Sequence, residues 1–380
     1  MNKLPPLPLA DINSLDSREI WAALTEAHRH LAELKGLCES LPNQGILLDT
    51  LSIQEAKDSS EIENIITTHD ELYAVQGESA SRAAKEVRHY VAALRTGYEA
   101  VRASGLIQLD TVLAVQSELE QNRAGLRRLP GTVLKNEATG AVIYEPPQDA
   151  AEVESLMSNL IDFIHADDGL DPLIRMAITH HQFESIHPFY DGNGRTGRIL
   201  NLLMLQRNGL LDLPVLYLSR YITTTKRDYY RLLQTVRDEN LWVDWCLYFL
   251  RGVAVTSRSA IAVVKIFRDL MLKTKHDLRE RLPKLYSQDL LNNLFRYPYT
   301  KIEFIENELG VSRPTAGKYL EQLTSAGLVR KQRMGKTNFY INQKLFDLLS
   351  NVTLEEVFVK ESGFTERLSP GAVSRSASQS

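Results

Sequence analysis

The densest chemistry in this chain lies in one run, His187-Pro188-Phe189-Tyr190-Asp191-Gly192-Asn193-Gly194-Arg195-Thr196-Gly197-Arg198. It joins an imidazole, a carboxylate, three glycines and two guanidiniums. Gly192, Asn193 and Gly194 are residue types that reach left-handed or mixed backbone angles, which turn successive N–H groups into one concavity. A helix starting just beyond them adds unpaired N–H groups and the positive end of its dipole. Arg195 and Arg198 then stand at i and i+3 on one face of its first turn. Two cations there oppose the dipole by about 0.3–1 kcal/mol each. A bound polyanion reverses that sign, because guanidinium forks grip phosphate oxygens in pairs. The run therefore reads as a phosphate-binding loop between two helices. Asp191, beside it, would be repelled by phosphates unless a divalent cation lay between them, and Mg²⁺ is commonly held by one carboxylate plus substrate phosphates. His187, fixed by the following proline, has an ordinary pKa of about 6.5, which suits proton abstraction near neutral pH.

The elements around the loop exclude a rival reading. Gly192-x-Gly194-x-x-Gly197 is the pattern of a dinucleotide-binding turn, but that turn needs a preceding strand in a βαβ unit. What precedes here is Pro172 to Ile186, with Ile174, Ala177, Ile178, His181 and Ile186 at helical spacing. No Gly-x-x-x-x-Gly-Lys-Ser/Thr loop occurs anywhere. His180, His181 and Glu184 suggest a metal cluster at first sight. Adjacent helical histidines point in different directions, however, so core packing is the expectation.

Further out, periodicity predicts helices over 16–40, 52–66, 79–102, 149–165, 172–185, 195–208 and 226–275. The first carries Trp21, Leu24, Leu31, Leu34 and Leu37 behind an Asp16…Glu19 capping box. Residues 130–148 differ: two short β-prone runs, Thr132-Val133-Leu134 and Val142-Ile143-Tyr144, flank Ala138-Thr139-Gly140 and read as a hairpin. Breaks near Pro283 and Tyr297-Pro298-Tyr299 place a boundary between 275 and 300. Residues 362–380 are Ser-rich with almost no large apolar side chains, and disorder is expected there.

Composition bounds the class. At about 150 residues per domain, 380 residues give two or three domains. A 43% hydrophobic fraction supplies ample core. No run of about 18 apolar residues predicts a membrane span, and Met-Asn-Lys-Leu-Pro-Pro is no secretory signal. Cys38 and Cys246 read as small buried hydrophobes. The expectation is a cytoplasmic protein. A net charge of −4 argues against nucleic acid only if the charge is evenly spread.

The loop resembles the Fic-family signature, His-x-Phe-x-Asp/Glu-Gly-Asn-Gly-Arg-x-x-Arg, and matches it at every specified position. With the helical context and the hairpin, the resemblance covers roughly residues 50–250. It implies a fold that is mainly α: a Fic-type helical bundle with a β-hairpin flap, plus a small winged helix-turn-helix domain. It implies transfer of AMP from ATP to a Ser, Thr or Tyr hydroxyl of a target protein, or of the chain itself, with Mg²⁺ as cofactor. On this resemblance His187 would be the base and Asp191 the metal ligand. Gly192, Asn193, Gly194, Arg195, Thr196, Gly197 and Arg198 would contact the nucleotide, the arginines offsetting charge as pyrophosphate leaves. The flap, with Thr132, Val142, Ile143 and Tyr144, would hold an extended target segment by strand addition. Tyr229-Tyr230 resembles the pair that lines the base pocket in relatives.

Upstream, Ser59-Ser60-Glu61-Ile62-Glu63-Asn64 resembles the family's inhibitory motif, Ser/Thr-x-x-x-Glu-Gly/Asn. This implies that Glu63 occupies Arg198 and holds ATP in an unproductive pose, while Ser59 bonds a phosphate or caps locally. The brake then lies in an N-terminal helical region (1–105), ahead of a catalytic core (106–275, flap 130–148), a winged-helix domain (285–350) and the tail (362–380).

That last domain follows from the order helix, turn, helix, hairpin over 300–345. Between Gly310 and Tyr340 stand six Lys or Arg and one acid, a net +5 that leaves −9 for the rest. Even charge was the wrong assumption. Arg313, Lys318, Arg330 and Lys331 are candidate DNA contacts, and dimerisation or target docking is the competing use. The leading reading is an autoinhibited protein adenylyltransferase, a homo-oligomer of dimer type, with ATP and a target protein as partners and no membrane. The alternatives are a nucleotide-sensing DNA-binding regulator, or a Fic enzyme that uses another nucleotide donor or removes AMP.

Overall fold

The computed structural model describes residues 4–9, 12–41, 44–74, 81–135, 139–296, 298–334 and 337–350. The expected disordered tail and the tip of the 130–148 hairpin, including Ala138, lie outside the described residues. Polar caps set where several helices begin. Helix α1 (Arg18–Glu39) starts at Ser17, whose hydroxyl accepts the Ile20 N–H at 3.3 Å. The expected Asp16…Glu19 box does not form. Asp16 instead accepts the Trp21 indole N–H at 2.7 Å, which draws Trp21 off the buried stripe to 58% exposure. Helix α2 (Gln44–Ile62) starts at 44 rather than 52. Its buried face mixes Leu47, Leu51 and Ala56 with Thr50, Gln54, Glu55 and Asp58, so no clean apolar period marks it. Helix α3 (His69–Ala74) is short. Helix α4 (Arg82–Ser104) runs from a Ser81 cap to Gly105 at φ +71°, a left-handed C-terminal stop.

Helix α5 (Leu109–Glu120) was not anticipated between 102 and the hairpin. Strands β1 (Leu134–Lys135) and β2 (Val142–Tyr144) do pair antiparallel, Leu134 opposite Tyr144, so the hairpin forms as expected. Helix α6 (Ala150–His165) is capped by Asp149. Helix α7 (Pro172–Ile186) is capped by Asp171 and opens on a proline, where its missing N–H costs nothing. Helix α8 (Asn193–Arg207) follows the loop. Then come α9 (Leu218–Thr224), α10 (Lys226–Glu239) and α11 (Trp242–Arg281). The single helix expected over 226–275 breaks at Asn240, whose φ of +57° closes α10. On α11 an apolar window is long enough to cross a membrane by length and composition, yet 83% of that window is buried inside the protein.

Helix α7 is the axis of the bundle: every residue from Leu173 to Ile186 is buried. It packs on α6, α8 and α11, while α4 covers α8 and α1 lies along α11. Trp245 of α11 is fully buried and donates its indole N–H to the Ala177 carbonyl at 2.8 Å. The final module comprises α12 (Gln288–Arg296), β3 (Tyr299–Thr300), α13 (Ile302–Leu309), α14 (Arg313–Ser325), β4 (Arg330–Met334), β5 (Thr337–Ile341) and α15 (Gln343–Ser350). Its sheet has the order β3-β5-β4, all antiparallel, with Arg330 opposite Ile341. Gly310, at φ +63°, makes the turn between α13 and α14. Phe295 meets Phe267 of α11 edge-on, with ring centroids 5.4 Å apart. Ile53 of α2 packs against the cluster of Tyr299, Phe339 and Ile341. The module thus touches the helix that leads to Glu63.

Trp245→Ala is expected to cost about 3–5 kcal/mol, through cavity formation and a lost buried hydrogen bond. Chemical denaturation checks this, and a loss under 1 kcal/mol would contradict so central a place for the indole.

Candidate active site

The signature residues gather where α7 ends and α8 begins. His187 ends α7 in a left-handed conformation, φ +49° and ψ +60°, with its N–H bonded to the Phe183 carbonyl at 2.9 Å. Asn193 closes the loop on itself: its Oδ1 accepts the Phe189 N–H at 2.8 Å and its Nδ2 donates to the Phe189 carbonyl at 2.9 Å. The asparagine side chain is therefore committed to loop shape, and its backbone N–H is what remains for a phosphate. Gly192 needs its φ of +75°, because it is the N-cap of α8. The helix begins at Asn193 rather than 195, so the Gly-Asn-Gly segment itself supplies the first-turn N–H groups. Thr196 and Gly197 are buried in that helix, Gly197 against α7.

Arg195 and Arg198, each with a side chain 4% exposed, line this end of the helix. Arg198 Nη2 donates to Glu63 Oε1 at 2.7 Å, and Nε donates to the Ser59 hydroxyl at 2.7 Å. Burial alone would push this guanidinium down, but the Glu63 carboxylate together with Tyr229, Tyr90 and Glu184 outweighs that and holds its pKa above the ordinary value. Glu63 thus meets Arg198 as the resemblance implies, and Ser59 bonds the arginine itself. Glu63 also reaches the second arginine, with Oε2 3.0 Å from Arg195 Nε. Arg195 pairs further with Glu86 at 3.1 Å and Glu120 at 2.8 Å. Gly194 is what allows this approach: a Cβ there would stand 2.5 Å from Glu63 Oε1. Asn64 contributes backbone, with φ +62° in the turn that ends α2 and its N–H on the Glu61 carbonyl at 3.0 Å. Helix α2 is pinned behind the brake. Arg220 Nε donates to Asp58 at 2.8 Å, and Glu55 accepts from the Ser219 hydroxyl and backbone N–H.

A cavity of about 790 Å³ opens in front of these groups, within the roughly 300–1,000 Å³ range of ligand pockets. His187, Asp191 and Arg198 border it, with Ile143 and Leu134 of the hairpin on one side and Tyr230 on another. Tyr229 also borders it, but is 2% exposed and shares a 2.9 Å hydrogen bond with His180. Tyr230 is 48% exposed, so of the pair it is the more accessible ring. Val142 and Ile143 are exposed on the hairpin, Thr132 is half-buried, and Tyr144 donates to the Ser185 carbonyl at 3.0 Å. His180 and His181 are core residues, as expected. Burial lowers both pKa values, that of His180 to about 3, and no metal-binding cluster occurs among the described residues.

One electrostatic fact differs from expectation. His187 does not keep its ordinary pKa: burial, and then the charges of Arg237 and Arg127, push it down to about 4. It is neutral at pH 7 and can accept a proton. His187 is itself positioned by Arg127, which donates to the carbonyls of His187 at 2.8 Å, Ile186 at 3.2 Å and Pro147, tying loop to hairpin base. Asp191 is exposed at the rim, with one oxygen accepting the Gly192 N–H at 2.8 Å. A lone carboxylate of this kind fits a hard cation shared with phosphates better than a cation held by protein alone.

Sequence reasoning missed Glu86, Glu120, Arg127 and the Asp58–Arg220 pair. Their partners lie tens of residues away, and no local pattern marks them. The candidate DNA contacts Arg313, Lys318, Arg330 and Lys331 are all exposed, and none borders the cavity. Arg313 stands 3.6 Å from Glu306, and Lys331 2.5 Å from Glu321.

Residues 21–99 match the Fic/DOC family N-terminal model, 106–205 the Fic/DOC family model, and 270–345 the model of the C-terminal domain of SoFic-like protein adenylyltransferases. A probable protein adenylyltransferase of Aquifex aeolicus is 30% identical over 189 residues, which is 47% of this chain and 55% of the relative. The protein adenylyltransferase fic-1 of Caenorhabditis elegans is 32% identical over 119 residues, 30% of this chain and 21% of the relative. The chain thus spans about half of the first and a fifth of the second. A Fic family protein of Desulfovibrio desulfuricans superposes with a TM-score of 0.55 at 21% identity, covering 89% of this chain and 98% of its own. A Fic-domain signalling protein of Bacteroides thetaiotaomicron gives 0.51 at 18% identity, covering 63% and 95%. Both share the fold.

The imidazole of His187 is expected to titrate near pH 4 in the folded chain. Because the folded pKa lies below the unfolded one, its neutral form persists from there upward. An NMR titration following the ring would refute the assignment if the midpoint came at about 6.5.

Proposed function

We propose that this chain, which belongs to the Fic/DOC family over residues 21–205, is a protein adenylyltransferase held back by its own Glu63. The observation that carries this reading is that His187, Asp191, the Gly192–Gly194 segment and Arg198 border one nucleotide-sized cavity, with Arg198 and the neighbouring Arg195 both held by the Glu63 carboxylate. In the proposed reaction His187 takes the proton of a target hydroxyl. The hydroxyl oxygen attacks the α-phosphorus of ATP, the bond from that phosphorus to the bridging oxygen breaks, and pyrophosphate leaves. The chain's part is alignment and charge stabilisation, which carry most of such a transfer. Asp191 would hold Mg²⁺ together with the phosphates, where the cation offsets charge on the leaving group. First-turn N–H groups of α8 and the two guanidiniums would take the phosphates, and Tyr230 would stack on the base. The hairpin, with Val142 and Ile143 exposed beside the cavity, would pair with an extended target segment.

Glu63 and a γ-phosphate compete for Arg198. A preference of about 2.7 kcal/mol for the carboxylate corresponds to about a hundredfold inhibition. Glu63→Gly is therefore expected to raise transfer of label from α-labelled ATP onto protein by tenfold or more, and adding His187→Ala to abolish it. An unchanged rate in Glu63→Gly would remove the brake from this account, and label in the His187→Ala protein would remove the base.

A second role rests on the C-terminal module, whose segment 310–340 carries a net +5, with Arg313, Lys318, Arg330, Lys331 and Arg333 exposed on α14 and β4. The reading is a winged helix that contacts DNA phosphates, in a protein of the cytoplasm. Arg330→Glu with Lys331→Glu is expected to weaken binding to mixed-sequence DNA at least fivefold in a gel shift, with affinity falling as salt rises. Absence of any salt-sensitive shift in the parent protein would assign the module to protein docking instead.

A further inference from the structure

Glu184 has no task in the transfer described above. It lies on α7 one turn before His187, 8% exposed, and borders the same cavity. Its carboxyl rests against the first turn of α8, where a Cβ on Gly197 would stand 2.9 Å from its Oε1. That oxygen has no hydrogen-bond partner among the described residues. A buried carboxyl with an open oxygen on a ligand cavity calls for an explanation, since buried polar atoms are normally satisfied. The charged and titratable groups around it come from three other elements: Arg198 from α8, Glu63 from the end of α2, and Arg237 and Tyr229 from α10. Burial pushes the Glu184 carboxyl up to about 7, with Arg198 pulling it down and Glu63 pushing it further up. Near neutral pH the group therefore stands at the point of gaining or losing its proton.

A triphosphate in the cavity resolves that balance. It brings negative charge to Arg198, cancels the cation that favours ionised Glu184, and leaves a carboxylate facing phosphates in a site closed to water. A neutral carboxyl meets the same ligand with an O–H donor. We propose that Glu184 is a nucleotide-binding residue that is protonated when a nucleoside triphosphate fills the cavity and donates its O–H to it, so that binding takes up one proton. This rests on the nucleotide reading of the cavity. The balance is simple: ionised Glu184, one solvent proton and the triphosphate give the complex with neutral Glu184. As pH rises above the free carboxyl's midpoint, affinity falls up to tenfold per unit.

The test uses the full chain with Glu63→Gly, so that the ligand reaches Arg198, and His187→Ala, so that nothing turns over. Removing Glu63 takes away a like charge and moves the midpoint to about 7 or below. Binding of ATP with Mg²⁺ is measured by calorimetry at pH 6 and pH 8, in buffers of different ionisation enthalpy, with and without Glu184→Gln. With Glu184 present, affinity is expected to fall at least tenfold between the two pH values, with uptake approaching one proton at pH 8. With Glu184→Gln, that uptake and the added pH dependence disappear, leaving only the titration of ATP itself. Equal pH dependence and equal uptake in both proteins would overturn the role of Glu184 while leaving the nucleotide site standing. No ATP binding at either pH would overturn the nucleotide reading, and this inference with it. Should Glu184→Gln fail to fold, carbon NMR of the Glu184 carboxyl replaces it. Its midpoint is expected to rise when ATP is added, and an unmoved or lowered midpoint would refute the proposal.

Discussion

Two guanidiniums buried at the start of α8 cannot be left without anionic partners, and most of the site follows from that constraint. An unpaired buried charge costs several kcal/mol, so a phosphate-binding arginine placed before its ligand arrives must be neutralised by something else. Arg195 has Glu86 and Glu120 for that purpose, besides Glu63. Arg198 depends on Glu63 for charge, with Ser59 supplying only neutral hydrogen bonds. In the proposed reading this asymmetry would let one carboxylate act as a brake, since Arg195 keeps partners without Glu63, whereas Arg198 would exchange one anion for another.

The position of Glu63 is in turn a property of α2 as a whole. Its buried face carries Glu55 and Asp58, which bond Ser219 and Arg220 on α9, so the helix is pinned by polar contacts more than by apolar ones. Ile53, on the same helix, packs on the C-terminal sheet. Ten residues of helix separate Ile53 from Glu63, or about 15 Å at 1.5 Å per residue. One rigid element therefore touches the C-terminal module at one point and the arginines at another.

These contacts mark the line between what the sequence reveals and what it hides. The His187–Arg198 run announces itself, because a tight loop and a helix start are local chemistry written in consecutive residues. Helix α7 is legible from its period and its Asp-Pro opening, and the hairpins from their turn residues. Helix α2 is legible only in part: a helix is expected from 52 but not from 44, because its polar residues are buried by partners on α4 and α9 that no window of sequence contains. The same holds for Glu86, Glu120 and Arg127, whose roles exist only once helices distant in the chain are packed. Burial likewise accounts for the misjudged histidine: a pKa taken from the free side chain ignores the desolvation and the two nearby arginines that lower it.

That lowered pKa bears on how the site distinguishes an empty cavity from a filled one. An imidazole whose conjugate acid forms only near pH 4 is a weak base, and the causes are burial first and then the positive charges of Arg237 and Arg127. Arg237 and Arg127 both disfavour the imidazolium, and among the described residues their hydrogen bonds go to neutral acceptors, Arg237 to the Ser185 hydroxyl and the Glu184 carbonyl, Arg127 to the His187, Ile186 and Pro147 carbonyls. A polyphosphate brings the missing negative charge to the same cavity. In the proposed reaction that charge would offset the part of the shift due to Arg237 and Arg127, though not the part due to burial, and would raise the basicity of His187 at the stage where a hydroxyl proton is to be taken.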